Sequence, residues 1–228
     1  MKALGLSWRY HTLFRQTPRS FLQQALPTPK ISPGPAFYKR KLWTYNFCIH
    51  DTGSDNASMF VWPETIPGHG SHEMASCVLQ YFKNTEVKAQ TLHVYSDNCS
   101  GQNKNFNILS LWQYLVANGR FKEIRHIFPL SGHTTMPCDR DFGDIERKLQ
   151  KSKCIYTPSE YVNHIKDARV KNKFQVTAMV CDEFLDVTPL ANALLPQGRE
   201  KIAYRKSTSS ILPANNFQLV FFNFLLAK

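Results

Sequence analysis

Two stretches of this 228-residue chain gather side chains that could do chemistry. In residues 92–105 an apolar run, Leu92, Val94 and Tyr95, leads into Asp97, followed by Asn98, Cys99, Ser100, Gly101, Gln102, Asn103 and Lys104. A strand of this kind delivers Asp97 to its carboxyl end, where open α/β sheets build their sites. Asp97 and Asn98 serve equally well as the opening of a turn before Gly101. The polar run that includes Lys104 could touch phosphates.

The second stretch, residues 128–146, holds His133, Asp139, Arg140, Asp141, Asp144 and Glu146. On a helix, Phe142, Ile145 and Leu149 form the apolar stripe. Asp139 and Glu146 are then nearly superimposed beside that stripe, with Gly143 leaving open space between them. Asp141 falls on the opposite flank, and Asp144 points more towards solvent. Asp139 and Glu146 are therefore the favoured acids for a site at the sheet's edge, although first-turn acids also suit the helix dipole by themselves. His133 could assist near the acids or bond to backbone. A third segment carries His69, His72 and Glu73. The two histidines lack nearby companions and read as a solvated loop rather than a metal site, whereas Glu73 falls in the first turn of a helix.

Carboxylates near basic side chains suit metal-dependent phosphoryl transfer, in which acids hold divalent ions and cations hold the polyanion. The cations available are Lys39, Arg40 and Lys41 in the first clear strand; Arg147, Lys148, Lys151 and Lys153 after the acids; and Lys166, Arg169, Lys171 and Lys173 beyond. A solvated helix face is the ordinary meaning of such runs.

The elements that must position these residues follow from periodicity and punctuation. Residues 21–26 read as a short strand or helical turn, and 26–35, with four prolines, as an extended linker. Residues 37–50 and 58–62 read as strands of a hairpin turned at 51–56. A helix over 71–84 is capped by Ser71, and a buried-type strand covers 91–96. A helix over 106–118 stops at Gly119. Residues 124–130 form a strand, about 139–151 and 159–170 helices, and 174–180 a strand. This order predicts an α/β fold: a mixed sheet of about five strands flanked by helices, with residues 91–96 central. Residues 1–20 and 191–228 are poorly patterned, leaving 21–190 as the domain.

Composition bounds the function. Hydrophobic residues make up 43% and aromatics 13%, enough for a packed interior. The net charge of +11 favours polyanions, nucleic acid first and an anionic membrane surface second. The longest apolar run, 217–227, is too short to span a bilayer, so no membrane partner is expected. Without a visible signal peptide or C-x-x-C pair, Cys48, Cys77, Cys99, Cys138, Cys154 and Cys181 read as reduced thiols of an intracellular protein.

Residues 37–47, Trp62 to Glu64, Glu73 to Cys77, Tyr95 to Asn105, Gly132 to His133, Cys138 to Phe142 and Ile145 to Glu146 together resemble a domain-of-unknown-function family in animal transposon-derived proteins. The resemblance runs from about residue 21 to 186. It implies an RNase H-like fold similar to that of cut-and-paste transposase cores, in which acids on the first strand, the fourth strand and a late helix bind two divalent ions, Mg or Mn. Carried over, Asp97 is the fourth-strand acid, Asp139 or Glu146 the late-helix acid, and Glu73 an additional first-helix acid. The metal ligands would be Asp97, Asp139 and Glu146, with Lys104, Arg140, Arg147, Lys148 and Lys151 against nucleic acid, DNA for preference, in the nucleus. One departure is decisive. Where the family shows Phe-Asp before Leu-Gln-Gln, this chain has Ser20 and Phe21 before Leu22, Gln23 and Gln24, so Phe21 takes the Asp position. Asp51, at the end of an antiparallel strand, is no substitute. The chain is thus expected to be a degenerate nuclease or transposase domain, or a non-catalytic nucleic-acid-binding or scaffold domain, with little cleavage and weak magnesium binding that Phe21→Asp should strengthen.

Overall fold

The computed structural model describes residues 16–31, 40–66, 68–97, 99–128, 136–194 and 209–213. Lys39, His133 and most of the C-terminal segment lie outside the described residues. Among the described residues the chain builds one mixed sheet of seven strands, flanked by helices on both faces. Its strands are β1 (Gln16–Thr28), β2 (Leu42–Asp51), β3 (Asn56–Pro63), β4 (Thr91–Ser96), β5 (Glu123–Ile127), β6 (Gln175–Ala178) and β7 (Ser209–Pro213). The helices are α1 (Ser71–Asn84), α2 (Phe106–Ala117), α3 (Pro137–Gln150), α4 (Pro158–Lys166) and α5 (Thr188–Leu194). Across the sheet the order is β6-β3-β2-β1-β4-β5-β7. β1 to β3 form an antiparallel meander, and β4 and β5 run parallel to β1. Each parallel step needs a crossover, and the helical periods of α1 and α2 supply it.

The α/β expectation holds, with two more strands than expected. β6, within the strand expected over 174–180, and β7, in the segment left unpatterned, pair with β3 and β5 and become the edges. β4 is interior, as predicted, although every second residue is only half-buried. β1 is longer than expected at both ends and takes in Leu26, Pro27 and Thr28, which composition assigned to a linker. The edges of α1 and β4 match the prediction to the residue. The cap of α1 does not: Gly70 stands at the N-cap, and its N–H donates to Glu73 Oε2 at 2.7 Å. Gly119, at φ +71°, ends the α2 turn in the left-handed region that glycine tolerates best.

The sheet divides the interior in two. On one face α1 and α2 cover Phe21, Tyr45, Phe47, Ile49, Phe60, Trp62, Leu92, Val94 and Ile124. On the other, α3 and α4 bring Phe142, Ile145, Leu149, Tyr161 and Ile165 onto Leu26, Cys48, Ala57, Met59 and Val61. Alternation along each strand sends neighbouring residues to opposite cores.

Candidate functional site

Asp97 follows β4 immediately. Its Oδ1 accepts from Asn103 Nδ2 at 2.6 Å and from the Cys99 N–H at 3.4 Å, so the carboxylate closes its own loop. Behind it runs a buried polar chain. Trp112 Nε1, which can only donate, bonds to His126 Nδ1 at 3.1 Å. The neutral ring must then carry its proton on Nε2, facing Ser96 Oγ at 2.8 Å, and Ser96 in turn donates to the Asp97 carbonyl at 3.1 Å. Burial lowers the His126 pKa from 6.5 to about 3, which keeps the ring neutral. His126 is fully buried, and it holds the end of β4 from which Asp97 projects.

Glu73, buried in the first turn of α1, lies close to that loop. A Cβ placed on Gly70 would stand 3.5 Å from Glu73 Oε2 and 3.9 Å from the Gly101 carbonyl oxygen. Asn107 at the start of α2 reaches Ser71 Oγ at 2.8 Å and binds the two segments together. Beside them lies a pocket of about 340 Å³ lined by Gln23, Ala25, Trp43, Tyr45, His69 and Gln102. His69 stacks on Tyr45 with ring centroids 4.7 Å apart. Both polar atoms of the Gln23 amide are shielded and without a hydrogen-bond partner. His72 accepts from the Val187 N–H at 3.1 Å and so ties down the approach to α5 rather than joining His69.

The late-helix acids stand apart from this group. Asp139 Oδ2 accepts from the Met136 N–H at 2.7 Å and so caps its own helix. Glu146 Oε1 accepts from Gln24 Nε2 at 2.9 Å, on the opposite face of the sheet from α1. Among the described residues, none of Glu73, Asp97, Asp139 and Glu146 belongs to a group of three His, Cys, Asp or Glu whose ligand atoms lie within 4.8 Å of one another. Phe21 pairs with Ser96 in the parallel ladder, beside the base of the Asp97 loop. It is buried against Phe47 and Trp112, at centroid distances of 5.9 and 6.0 Å. Asp51 pairs with Arg19 at 3.1 Å, further back along β1.

Three of the expected phosphate-binding cations, Lys104, Arg140 and Arg147, have other partners. Lys104 is buried, with its ammonium 5.2 Å from the Phe128 ring centre. Arg140 pairs with Asp55 at 2.8 Å, Arg147 with Asp144, and Arg40 with Glu64 at 2.7 Å. Lys41 precedes β2 rather than lying in it. Lys151 is exposed and Lys148 half-buried on the last turn of α3.

Periodicity ranked the acids of α3 in the wrong order for burial. Asp141 is fully buried, accepting from His50 Nδ1 at 2.7 Å and from Arg169 at 2.5 Å, with the Cys48 thiol at 3.6 Å. Asp144 faces Arg169 at 2.5 Å rather than open solvent. Cys138 Sγ lies 3.2 Å from Ser20 Oγ. Burial, then the bond with Cys138, pushes the Cys48 thiol well above its ordinary range. The sequence signal for this group was the row Thr44, Asn46, Cys48 and His50, which alternates with Tyr45, Phe47 and Ile49.

Neither the curated proteins nor the solved structures yield a match to the chain. A family model does match, over residues 46–200, beginning inside β2 and leaving β1 with Phe21 outside the matched span. The chain belongs to the family described as Domain of unknown function (DUF7869).

Proposed function

We propose that this chain is an RNase H-like domain of transposon origin that binds nucleic acid, DNA in preference, in the nucleus, and does not cleave it. The observation that carries the reading is the end of the sheet at β1 and β4. Asp97 leaves β4 there, Glu73 lies close by at the start of α1, and the ladder neighbour on β1 is a core phenylalanine. The order β3-β2-β1-β4-β5, antiparallel and then parallel, agrees with the architecture that the resemblance implies.

A two-ion site needs several carboxylates converging on shared ions while leaving positions open to substrate. Asp97 is committed to Asn103 and Cys99, Glu73 to the Gly70 amide, Asp139 to its helix cap and Glu146 to Gln24. These acids do not fit such a site as they stand, and no step is assigned to an ion. The surrounding surface suits binding instead. Aromatic rings beside amide groups, at Trp43, Tyr45, His69, Gln23 and Gln102, can stack an unpaired base and bond to its edge. The +11 charge supplies attraction to phosphates, with Lys148 and Lys151 as the cations best placed to contribute.

The test is a labelled-DNA binding and nicking assay of the full chain across salt and divalent-ion concentrations. Binding should weaken steeply with salt, and no magnesium-dependent nicking should be seen. Salt-independent retention would defeat the binding reading. Nicking abolished by Asp97→Ala would restore an enzyme.

A further inference from the structure

The group under α3 has a chemistry different from that of the acids at the sheet end. Cys48 Sγ on β2 and Cys138 Sγ and a carboxylate oxygen of Asp141 on α3 all lie within 4.8 Å of one another, and all three residues are buried. His50, two residues after Cys48 on the same face of β2, brings Nδ1 to 2.7 Å from Asp141 Oδ2. The site is thus assembled from a Cys-x-His pair on a strand and a Cys-x-x-Asp pair on one turn of a helix. No local Cys-x-x-Cys spacing announces it.

We infer that Cys48, Cys138 and Asp141, with the neighbouring His50 turning in as the fourth ligand, form a binding site for a thiophilic divalent cation, zinc by preference. Four-coordinate zinc takes sulfur at about 2.3 Å and nitrogen or oxygen at about 2.0 Å. Tetrahedral geometry then sets neighbouring sulfurs about 3.8 Å apart, inside the observed spread. Two thiolates and a carboxylate select zinc over magnesium, which takes oxygen ligands and retains water.

The surroundings supply what such a site requires. His50 Nδ1, whose proton bonds to Asp141, becomes a ligand when that proton moves to Nε2, which faces Asp55 Oδ1 at 3.3 Å in the carboxylate–histidine arrangement typical of metal-binding rings. Arg169 bonds to Asp141 Oδ1 at 2.5 Å and leaves Oδ2 facing His50 and Cys48. Zinc with two thiolates, one carboxylate and a neutral imidazole carries a net charge of −1, which the Arg169 guanidinium balances. Binding releases both thiol protons to solvent, so occupancy rises with pH. The cation would clamp α3 to β2, a structural role independent of whether the domain binds nucleic acid.

The test uses the full chain purified under reducing conditions without chelator, then equilibrated with zinc or cobalt. We expect about one zinc per chain by elemental analysis. The cobalt form should show a thiolate-to-metal charge-transfer band. Cys48→Ser/Cys138→Ser should lose both signals, while Cys154→Ser/Cys181→Ser, which changes two exposed thiols, should retain them. Because the first variant could fail to fold, the cobalt spectrum of the unmodified chain decides by itself. Absence of the charge-transfer band there overturns the proposal, as does equal zinc content in folded protein with and without Cys48 and Cys138.

Discussion

The two faces of the sheet solve burial in opposite ways. Beneath α1 and α2 the interior is mainly aromatic and aliphatic: Phe21, Phe47, Trp62, Trp112 and Phe121 lie there, with its polar bonds including the short chain from Trp112 through His126 to Ser96 and the bond that buried Arg19 donates to Tyr81 Oη at 3.1 Å. Beneath α3, polar side chains from β1 and β2 meet the helix. Ser20 meets Cys138, Gln24 meets Glu146, and His50 and Cys48 meet Asp141, while Thr28 and Thr44 bond to each other at 2.7 Å. β2, like β1 and β3, supplies both faces. The difference shows that polar alternation on an interior strand can signal a partner element as well as water. Dispersion and area burial stabilise the first face, so its cost of disruption follows volume. The second depends on partner-specific bonds, so its cost follows whether a group is left unpaired.

The largest effect tests the apolar face. Phe21→Asp removes an aromatic ring and sets a carboxyl group between Phe47 and Trp112. Cavity and desolvation together should cost roughly 5 kcal/mol or more in urea unfolding. The variant was expected from sequence to bind magnesium more tightly, but the aromatic surroundings predict no gain. Rescue of its stability by millimolar magnesium would show that this position belongs to an ion site after all.

Asp141→Ala tests the polar face. It leaves His50 and Arg169 without their shared carboxylate in a buried setting, at a cost of about 3–5 kcal/mol. Replacing Asp141, His50 and Arg169 together by apolar residues of similar volume should cost less than the single change. If the triple variant is as unstable as the sum of its parts, bonding does not distinguish this face from the other.

A smaller effect, set by pH, belongs to His126. Its folded pKa, about 3, lies below the ordinary 6.5, so the unfolded chain binds the extra proton first. The stabilisation is complete above pH 6.5 and is lost as pH falls towards 3, by up to about 1.4 kcal/mol per pH unit. His93, also shifted down by burial and by Arg125, acts in the same direction. Substituting His126 with Gln should flatten this part of the stability profile, even though it lowers stability at neutral pH. An unchanged slope would mean that the ring is charged in the fold.

What could be read from the sequence follows the same division. The edges of α1 and β4, the α2 stop at Gly119 and the stripe of Phe142, Ile145 and Leu149 were all legible, because each depends on local period or backbone freedom. The polar face was not. Thr44, Asn46, Cys48 and His50 are all buried, yet nothing near them in the chain says that α3, some 90 residues later, covers them. Cys48 and Cys138 meet only through tertiary structure, so a search for close cysteine spacing passes over them. Asp141 was ranked below Asp139 and Glu146 because a helical wheel places residues around an axis without revealing which flank meets a second polar layer. Of the two edge strands, β6 lies within the strand read over 174–180, whereas β7 falls in the poorly patterned tail and its pairing depends on the sheet it joins.

The smallest effect is expected at Glu146, one of the acids that spacing favoured for a metal site. Its carboxylate is exposed and bonds to Gln24 across the edge of α3, so solvent competes for the same bond. Glu146→Gln preserves the shape and removes the charge, and it should change stability by no more than about 1 kcal/mol. The Asp141→Asn replacement, equally conservative but buried beside His50 and Arg169, should cost several times as much. Measured side by side, the two acid-to-amide changes separate a bond at the rim of the polar face from one at its centre. If Glu146→Gln proves as destabilising as Asp141→Asn, the bonding energy of this face is spread along α3 rather than concentrated at its amino-terminal turns. The acid bonded to Gln24 would then have to be counted with the buried group and no longer with the solvent-facing surface.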